Sequence, residues 1–186
     1  MEISNLFFYG IAGYLLLFIY DIAKNTKNRV IHNITSLGFL FTIIPYVVIL
    51  IRYFTFSFTL KPILFSSLLI LFSLLLLYSA LIEIPLYYHK TVKETDLFER
   101  PMLYSHGTYS FSRHPGFIWY TVINILFIVY FTDRIIIYMM IVFTICNFLL
   151  ILVEDFIIFP RTFIGYKEYK GKVPFLFPLR KITKHW

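Results

Sequence analysis

The sequence predicts an all-α integral membrane protein, and three observations lead to that fold class. Hydrophobic residues make up 59% of the chain and charged residues only 15%, whereas about a quarter of an ordinary soluble domain is charged. Apolar runs such as 63–82 contain no charged residue and reach the length of about 20 residues that crosses a hydrocarbon core. The charged residues gather between these runs, as expected for helices that cross a bilayer and are joined by polar segments.

About five membrane-spanning helices follow from the apolar runs. The first run lacks a basic leader and a small-residue cleavage site, so we expect a mature helix rather than a signal peptide. Gly10, Ala12 and Gly13 in this run offer close contact to a neighbouring helix. The polar residues of the first three runs lie mostly near their ends, which predicts a scaffold role. The candidate spans are 3–22, 34–51, 63–82, 115–131 and 135–158.

The chain is expected to form a single membrane domain over 1–186. Within it, 1–88 is predicted to be a three-helix scaffold. The remainder, 89–186, is predicted to supply a cofactor-binding loop, a helical hairpin and a C-terminal lid. The loop, at about 88–114, is the longest stretch outside a span, and a connection of this length is more often functional than idle.

The basic residues indicate how the helices are oriented. The net charge is +7, and most Lys and Arg residues lie in the stretches 24–29, 90–113 and 161–184. By the positive-inside rule these stretches face the cytoplasm, which places the N-terminus outside and the C-terminus in the cytoplasm. The basic excess is then assigned to topology and to contact with anionic membrane lipids. No basic groove with interleaved stacking residues stands apart from the spans, so nucleic acid is not an expected partner.

Two charged clusters are predicted to meet at the cytoplasmic face. Arg113 and His114 precede Pro115, which suits the first position of a helix, and Glu154 and Asp155 lie near the end of the last span. The short turn between the fourth and fifth spans predicts an antiparallel hairpin, and at about 1.5 Å per residue both clusters return to the same level. They form either an ion-pair clasp or a ligand site, and the aromatic segments that flank them favour the site. A helix start beside an arginine suits a carboxylate or phosphate.

The C-terminal segment is predicted to form a short amphipathic helix over the cytoplasmic face. Tyr166 and Tyr169 are three residues apart and therefore share one helix face. One interpretation is an interfacial helix whose lysines reach lipid headgroups. The other is a lid that folds under the hairpin, with its tyrosines lining a cofactor pocket. Phe159 and Pro160 are expected to end the fifth span.

Several other polar residues are interpreted as structural. Asp21, His32 and Arg52 fall at predicted interfaces, where we expect solvated or snorkelling side chains. For Glu83, at the end of the third span, an interfacial position and a position facing the site both stay open. Cys146 lies within the fifth span, where we expect it to be a small packing residue. No Cys or His spacing typical of a metal site occurs.

Three blocks of residues between about 100 and 180 together resemble a known family. They are Gly107-Thr108-Tyr109 through Arg113-His114-Pro115, then Glu154-Asp155, then Tyr166-x-x-Tyr169 with Val173-Pro174 and Pro178. In this order they resemble the isoprenylcysteine carboxyl methyltransferase family, part of a wider group that includes phospholipid N-methyltransferases. The chain departs from the family pattern at Thr108, Phe117, Trp119 and Asp155, where the family has Pro, Tyr, a small residue and Glu. We expect Trp119 to narrow the entrance for a lipid-like substrate.

The resemblance implies a membrane methyltransferase that uses S-adenosyl-L-methionine. Its acceptor would be a lipid-like or prenylated-cysteine carboxylate or amine that enters from the bilayer. The resemblance implies that His114, Arg113 and Glu154 are catalytic. Arg113 and the helix start suit the cofactor carboxylate, the acidic pair suits its ribose or ammonium, and tyrosine faces suit its sulfonium. The cofactor-binding set would be Tyr109, Arg113, His114, Pro115, Glu154, Asp155, Tyr166 and Tyr169.

Two other functions stay open. NADPH-dependent membrane sterol or steroid reductases look similar around Arg-His-Pro, but they are generally longer than 186 residues. A non-catalytic membrane scaffold or small transporter is the other alternative, although charges at one face rather than mid-membrane disfavour a transport path. Binding of S-adenosylmethionine, of NADPH or of neither separates the three. The sequence carries no signal for an oligomeric state.

Overall fold

The computed structural model describes residues 3–23, 29–83 and 103–177. Within these ranges the regular structure is helical and contains no β-strand, which confirms the predicted all-α class there. One π-helical turn covers Tyr78–Ile82, a second covers Glu154–Ile158, and a 3-10 turn covers Gly107–Ser110. The α-helices are α1 (Ile3–Ala23), α2 (Arg29–Tyr53), α3 (Leu60–Leu77), α4 (Pro115–Phe131), α5 (Arg134–Val153), α6 (Phe159–Thr162) and α7 (Tyr166–Lys172).

Some of the predictions fall on residues that the structure does not describe. The first part of the predicted loop, 88–102, lies outside the described ranges, as does Pro178. The side chain of His32 lies outside them as well. The predictions for these residues therefore stay predictions.

Three helical segments are long and apolar enough to cross a membrane. They are Asn5–Ile22, Leu60–Ile82 and Arg134–Thr162. The apolar stretches Leu37–Tyr53 and Pro115–Phe131 are shorter. Many large apolar side chains on these helices face outward, which is the surface expected of helices in lipid. Examples with more than half of the side chain exposed are Phe8, Leu15, Leu64, Leu74, Val129 and Leu149.

The helices pack in the spatial order α2, α1, α5, α4, α3. Small residues bring α1 and α2 together, because a Cβ on Gly13 would lie 2.8 Å from the Thr42 nitrogen and 2.9 Å from the Gly38 carbonyl oxygen. Gly10 likewise lies against the ring of Phe143 on α5. These contacts confirm the predicted close approach of α1 to its neighbours.

A buried polar network crosses four helices in the middle of the bundle. The hydroxyl of Tyr120 on α4 pairs with those of Tyr14 on α1 and Tyr46 on α2, each at 2.5 Å. Tyr46 also donates to Asn124 Oδ1 at 2.7 Å, and Asn124 Nδ2 donates to Thr144 on α5 at 2.7 Å. Sequence analysis missed this network, since it expects polar residues of the first spans near their ends. In an apolar bundle such hydrogen bonds hold helices in register.

The α4–α5 hairpin forms as predicted. Thr132 adopts a left-handed conformation with φ 52°, and the Asp133 carboxylate accepts from the backbone nitrogens of Ile135 and Ile136, which caps α5. The side-chain cap satisfies N–H groups that have no partner in the helix. The two helices therefore run antiparallel and return their far ends to one level.

Two predictions about helix ends are wrong. The fifth span does not stop at Pro160, because helical structure continues to Thr162. Pro160 follows the π-helical turn directly, and although it lacks the N–H of a helical hydrogen bond, the helical backbone continues past it for two residues. Asp21 is not solvated but only 7% exposed, because the end of α1 packs against the helical segment that follows α5. Arg52 is exposed, as expected.

Gly13→Ala is expected to lower the thermal unfolding temperature of the detergent-purified protein. The new Cβ would collide with Thr42 and with the backbone of α2, and overpacking of this kind costs about 1–3 kcal/mol. Gly171→Ala is the matched control, because nothing lies within 4 Å of a Cβ there and alanine favours a helix. Equal unfolding temperatures for the two variants would contradict the close approach of α1 and α2.

Candidate functional site

Three segments that are far apart in sequence meet at one end of the bundle. The first is the stretch 112–114, which ends where Pro115 starts α4. The second is the π-helical turn Glu154–Ile158, and the third is the C-terminal segment 166–177, which contains α7. The hairpin brings the first two to the same level, and direct contacts then attach the third.

Asp155 is the centre of this meeting point. Its side chain is fully buried, yet Arg113 Nε lies 2.9 Å from Oδ1 and Lys170 Nζ lies 3.0 Å from Oδ2. Neither cation is aligned for a hydrogen bond, so both act on the carboxylate as ion-pair partners. The Tyr166 hydroxyl donates to Oδ1 at 2.5 Å. A buried carboxylate requires such partners, because burying an unpaired charge costs several kcal/mol.

The Arg113 side chain reaches both other segments. Its Nη1 donates to the backbone oxygen of Lys170 at 3.0 Å, in addition to the ion pair with Asp155. The guanidinium also lies 5.6 Å from the centre of the Phe175 ring, a distance at which a cation is attracted to an aromatic face. Arg113 therefore ties the helix start, the π-helical turn and the C-terminal segment together.

His114 lies between the two acidic side chains. Its Nε2 is 3.5 Å from Asp155 Oδ1, and its Nδ1 is 3.8 Å from Glu154 Oε2. The ring stacks on Phe159 at 5.7 Å and meets Phe175 edge-on at 5.1 Å. Burial lowers the pKa of His114, while Asp155 opposes that shift. A neutral imidazole therefore dominates at neutral pH.

An aromatic cavity of about 120 Å³ adjoins this cluster. Tyr109 donates to the Ser79 carbonyl at 3.0 Å, and Tyr169 donates to the Tyr109 carbonyl at 2.5 Å. Burial raises the pKa of Tyr109, Tyr166 and Tyr169, so these phenols stay protonated. Arg113 supplies the only guanidinium in the wall that the structure describes. The cavity is lined by Leu103, Tyr104, Tyr109, Arg113, Phe159, Phe163, Tyr166 and Tyr169.

The C-terminal segment docks on the start of α4 through its backbone. The Arg113 backbone nitrogen donates to the Pro174 oxygen at 3.0 Å, and Ser112 Oγ donates to the Phe175 oxygen at 3.3 Å. Tyr166, Tyr169 and Val173 form a small hydrophobic cluster beneath it. Tyr166 and Tyr169 thus share a buried face of α7, as their spacing predicts.

Glu83 is a buried member of the site that the sequence left undecided. It is 4% exposed and accepts hydrogen bonds from Tyr104 at 3.1 Å, from the Thr108 nitrogen at 2.7 Å and from the Thr108 hydroxyl. Gly107 next to it has a φ of 54°, and a Cβ there would lie 1.7 Å from Glu83 Oε1. Glu83 therefore fixes the 3-10 turn that carries Tyr109. Its position at the end of a long apolar run was the available signal.

The structure brings the eight predicted cofactor-binding residues to this end of the bundle, but they take different positions. Four of them line the aromatic cavity, namely Tyr109, Arg113, Tyr166 and Tyr169. His114, Glu154 and Asp155 form the adjacent charged cluster instead, and Pro115 is buried as the first residue of α4.

The residues at which the chain departs from the family pattern lie beside the site or away from it. Trp119 packs on Phe72 of α3 and is not part of the cavity wall, so the structure does not place it at an entrance to that cavity. Phe117 contacts Phe148 on α5 at 5.7 Å between ring centres. Cys146 packs against the main hydrophobic core, as expected.

No family model, curated protein or solved structure matches this chain. The family resemblance therefore stays a prediction that rests on the residues quoted above. Those of the quoted residues that lie within the described ranges, which leave out Pro178, come together at one end of the bundle.

Glu83→Ala is expected to destabilise the protein by about 2 kcal/mol or more, because it leaves buried donors on Tyr104 and Thr108 without their acceptor. The thermal unfolding temperature should fall accordingly. Glu168→Ala is the matched control, since Glu168 is exposed. If both variants unfold at the same temperature, Glu83 does not hold the turn as described.

The pKa shift of His114 predicts a pH dependence of stability. Because its pKa is lowered in the folded protein, the unfolded chain binds more protons just below the ordinary pKa of 6.5. Stability should therefore fall as the pH drops from about 7 through the folded pKa. Thermal unfolding of the wild type and of His114→Asn measures this pH dependence between pH 5 and pH 8, which brackets the ordinary histidine pKa of about 6.5. His106→Asn, at an exposed position, is the control, and an unchanged pH profile in His114→Asn would contradict the assignment.

Proposed function

We propose that this protein is a membrane methyltransferase that uses S-adenosylmethionine. The observation that carries the proposal is the buried Arg113–Asp155 pair beside a cavity whose wall contains four tyrosines. A cation, an acidic side chain and several aromatic faces are the groups that would recognise a cofactor with a carboxylate, an ammonium, ribose hydroxyls and a sulfonium. The sequence blocks that resemble the methyltransferase family supply Arg113, Asp155 and three of these four tyrosines, and Tyr104 lies outside the blocks.

The geometry suggests distinct roles for the charged residues. Arg113 lines the cavity and suits the cofactor carboxylate, because a guanidinium binds carboxylates through paired hydrogen bonds. Glu154 keeps 22% of its side chain exposed and suits the ribose or the ammonium. Asp155 is surrounded by Arg113, Lys170 and Tyr166, so we assign it to positioning those side chains rather than to contact with the cofactor.

The aromatic cavity is smaller than the cofactor requires. Small-molecule pockets usually measure about 300–1,000 Å³, and this one measures about 120 Å³. Its wall includes Tyr166 and Tyr169 of α7, a short helix held by the contacts of Lys170 and Arg113. We propose that binding moves α7 outward, which fits the interpretation of this segment as a lid.

The chemistry asks the protein for alignment and exclusion of water more than for acid–base work. S-adenosylmethionine held by these residues would supply an electrophilic methyl group on its sulfonium, for transfer to an acceptor oxygen or nitrogen with the thioether as leaving group. A carboxylate acceptor needs no base. For an amine acceptor, the neutral imidazole of His114 or the Glu154 carboxylate takes the proton that the amine loses.

The acceptor is proposed to be lipid-like or prenylated and to enter from the bilayer. In this proposal the apolar helices Leu37–Tyr53 and Pro115–Phe131 also cross the membrane, which makes five spans. The basic residues then place the N-terminus outside, with the site and the C-terminus in the cytoplasm. Cytosolic S-adenosylmethionine would reach the cavity directly.

Calorimetric titration of the detergent-purified protein with S-adenosylhomocysteine tests the proposal. We expect micromolar binding by the wild type and a loss of about tenfold or more in Glu154→Gln, as for one lost charge-assisted hydrogen bond. Glu168→Gln is the matched control, because Glu168 is exposed on α7. No binding by a folded wild type would sink the proposal. Binding of NADPH instead would favour the reductase alternative.

A further inference from the structure

A second cavity lies between the end of α1 and the segment that runs from α5 to α6. This interface groove has a volume of about 290 Å³ and shares no lining residue with the aromatic cavity. It therefore belongs to neither the charged cluster nor the proposed cofactor site. Its apolar wall is formed by Phe18, Ile22, Val153, Ile157 and Ile158.

Two opposite charges line the same groove. Asp21, a residue that is 7% exposed, contributes a carboxylate, and Arg161 contributes a guanidinium. The two side chains do not form an ion pair within 4.0 Å, although both are among the described residues. Asp21 makes a contact elsewhere in the chain, but a carboxylate offers about four acceptor positions and can hold a further donor.

The polarity of the groove changes along the helices. On α1, Phe18 lies three residues before Asp21, and on the other wall Val153 lies eight residues before Arg161. At about 1.5 Å per residue these separations are roughly 4.5 Å and 12 Å. Both charges therefore lie at the helix ends, while the wall deeper in the bundle is apolar. Such a gradient matches an amphiphile with its headgroup at the membrane surface and its chain running inward.

We propose that the interface groove binds a phospholipid whose headgroup carries both a phosphate and a primary ammonium. The ammonium would donate to Asp21, the phosphate would accept from Arg161, and an acyl chain would cover Phe18 and Val153. The Asp21 carboxylate would repel an anionic headgroup that has no amine. The Arg161 guanidinium would repel a simple cation. A dipolar headgroup offers a further donor to Asp21, beside the contact that Asp21 already makes, and acceptors to Arg161. The bound lipid ties α1 to the helix that carries Asp155, and it is separate from the proposed methyl acceptor.

Native mass spectrometry of the delipidated, detergent-purified protein tests this site. The probes are dioleoylphosphatidylethanolamine, the same lipid with its amine acetylated, and dioleoylphosphatidylglycerol. We expect the free-amine lipid to bind about tenfold or more tightly than the other two, as for the loss of one charge-assisted hydrogen bond. Asp21→Asn should remove this preference, and Arg161→Gln should weaken binding of all three lipids.

Variants elsewhere separate a specific site from general lipid coating. Glu168→Gln and Arg134→Gln change exposed charges outside the groove and should leave the preference intact. Ile22→Trp should fill the groove and reduce lipid binding while the charge of the groove stays the same. Ile141→Trp, on the exposed face of α5, should leave lipid binding unchanged.

The outcomes are decisive in either direction. Equal binding of the three lipids, a preference for phosphatidylglycerol, or an amine preference that survives Asp21→Asn in folded protein would overturn the proposal. Thermal unfolding of each variant shows whether it is folded. Since no groove residue lines the aromatic cavity, S-adenosylhomocysteine binding should be unchanged in Asp21→Asn, which keeps a failure here distinct from a failure of the proposed methyltransferase function.

Discussion

The buried carboxylate of Asp155 is the constraint on which this end of the molecule depends. A buried carboxylate must be surrounded by cations and hydrogen-bond donors. The chain supplies Arg113, Lys170 and Tyr166 from two other segments. Two of these partners have a second contact of their own, because Arg113 also reaches the Lys170 backbone and Lys170 lies over the Phe156 ring at 3.8 Å. Satisfying one carboxylate thus organises the helix start, the π-helical turn and the C-terminal segment at once.

Both π-helical turns lie next to this arrangement. One extends α3 and leads to Glu83, and the other follows α5 and begins with Glu154 and Asp155. A π-helical turn is uncommon and often marks a functional site, because it inserts a residue and redirects the side chains that follow. Here each turn is followed or occupied by buried acids, and the Ser79 carbonyl within the first accepts from Tyr109. Glu83 thus contacts the first part of the segment 104–114 through Tyr104 and Thr108, and Asp155 contacts its end through Arg113.

The meeting of Arg113 and His114 with Glu154 and Asp155 could be predicted, because a short turn and two helices of similar length leave little freedom in where their far ends lie. The hydroxyl network of Tyr14, Tyr46 and Tyr120 could not be predicted from the sequence, because it depends on how four helices are rotated about their axes. Sequence spacing also fails for Asp21, whose burial depends on the packing of α1 against a helix more than 130 residues later. Trp119 illustrates the same limit, because its rotation toward Phe72 follows from the position of α3.

The size of the aromatic cavity connects the structure to the proposed activity. The side chains that suit the cofactor are the same ones that hold α7 in place, since Arg113 bonds to the Lys170 backbone and Tyr169 bonds to the Tyr109 carbonyl. A ligand carboxylate that engages Arg113 therefore competes with these contacts and loosens the wall that keeps the cavity small. Asp155 limits that loosening, because it cannot lose all its partners without leaving a buried charge unpaired. We therefore propose that α7 is a hinged cover, which would move on binding while it stays attached through Asp155.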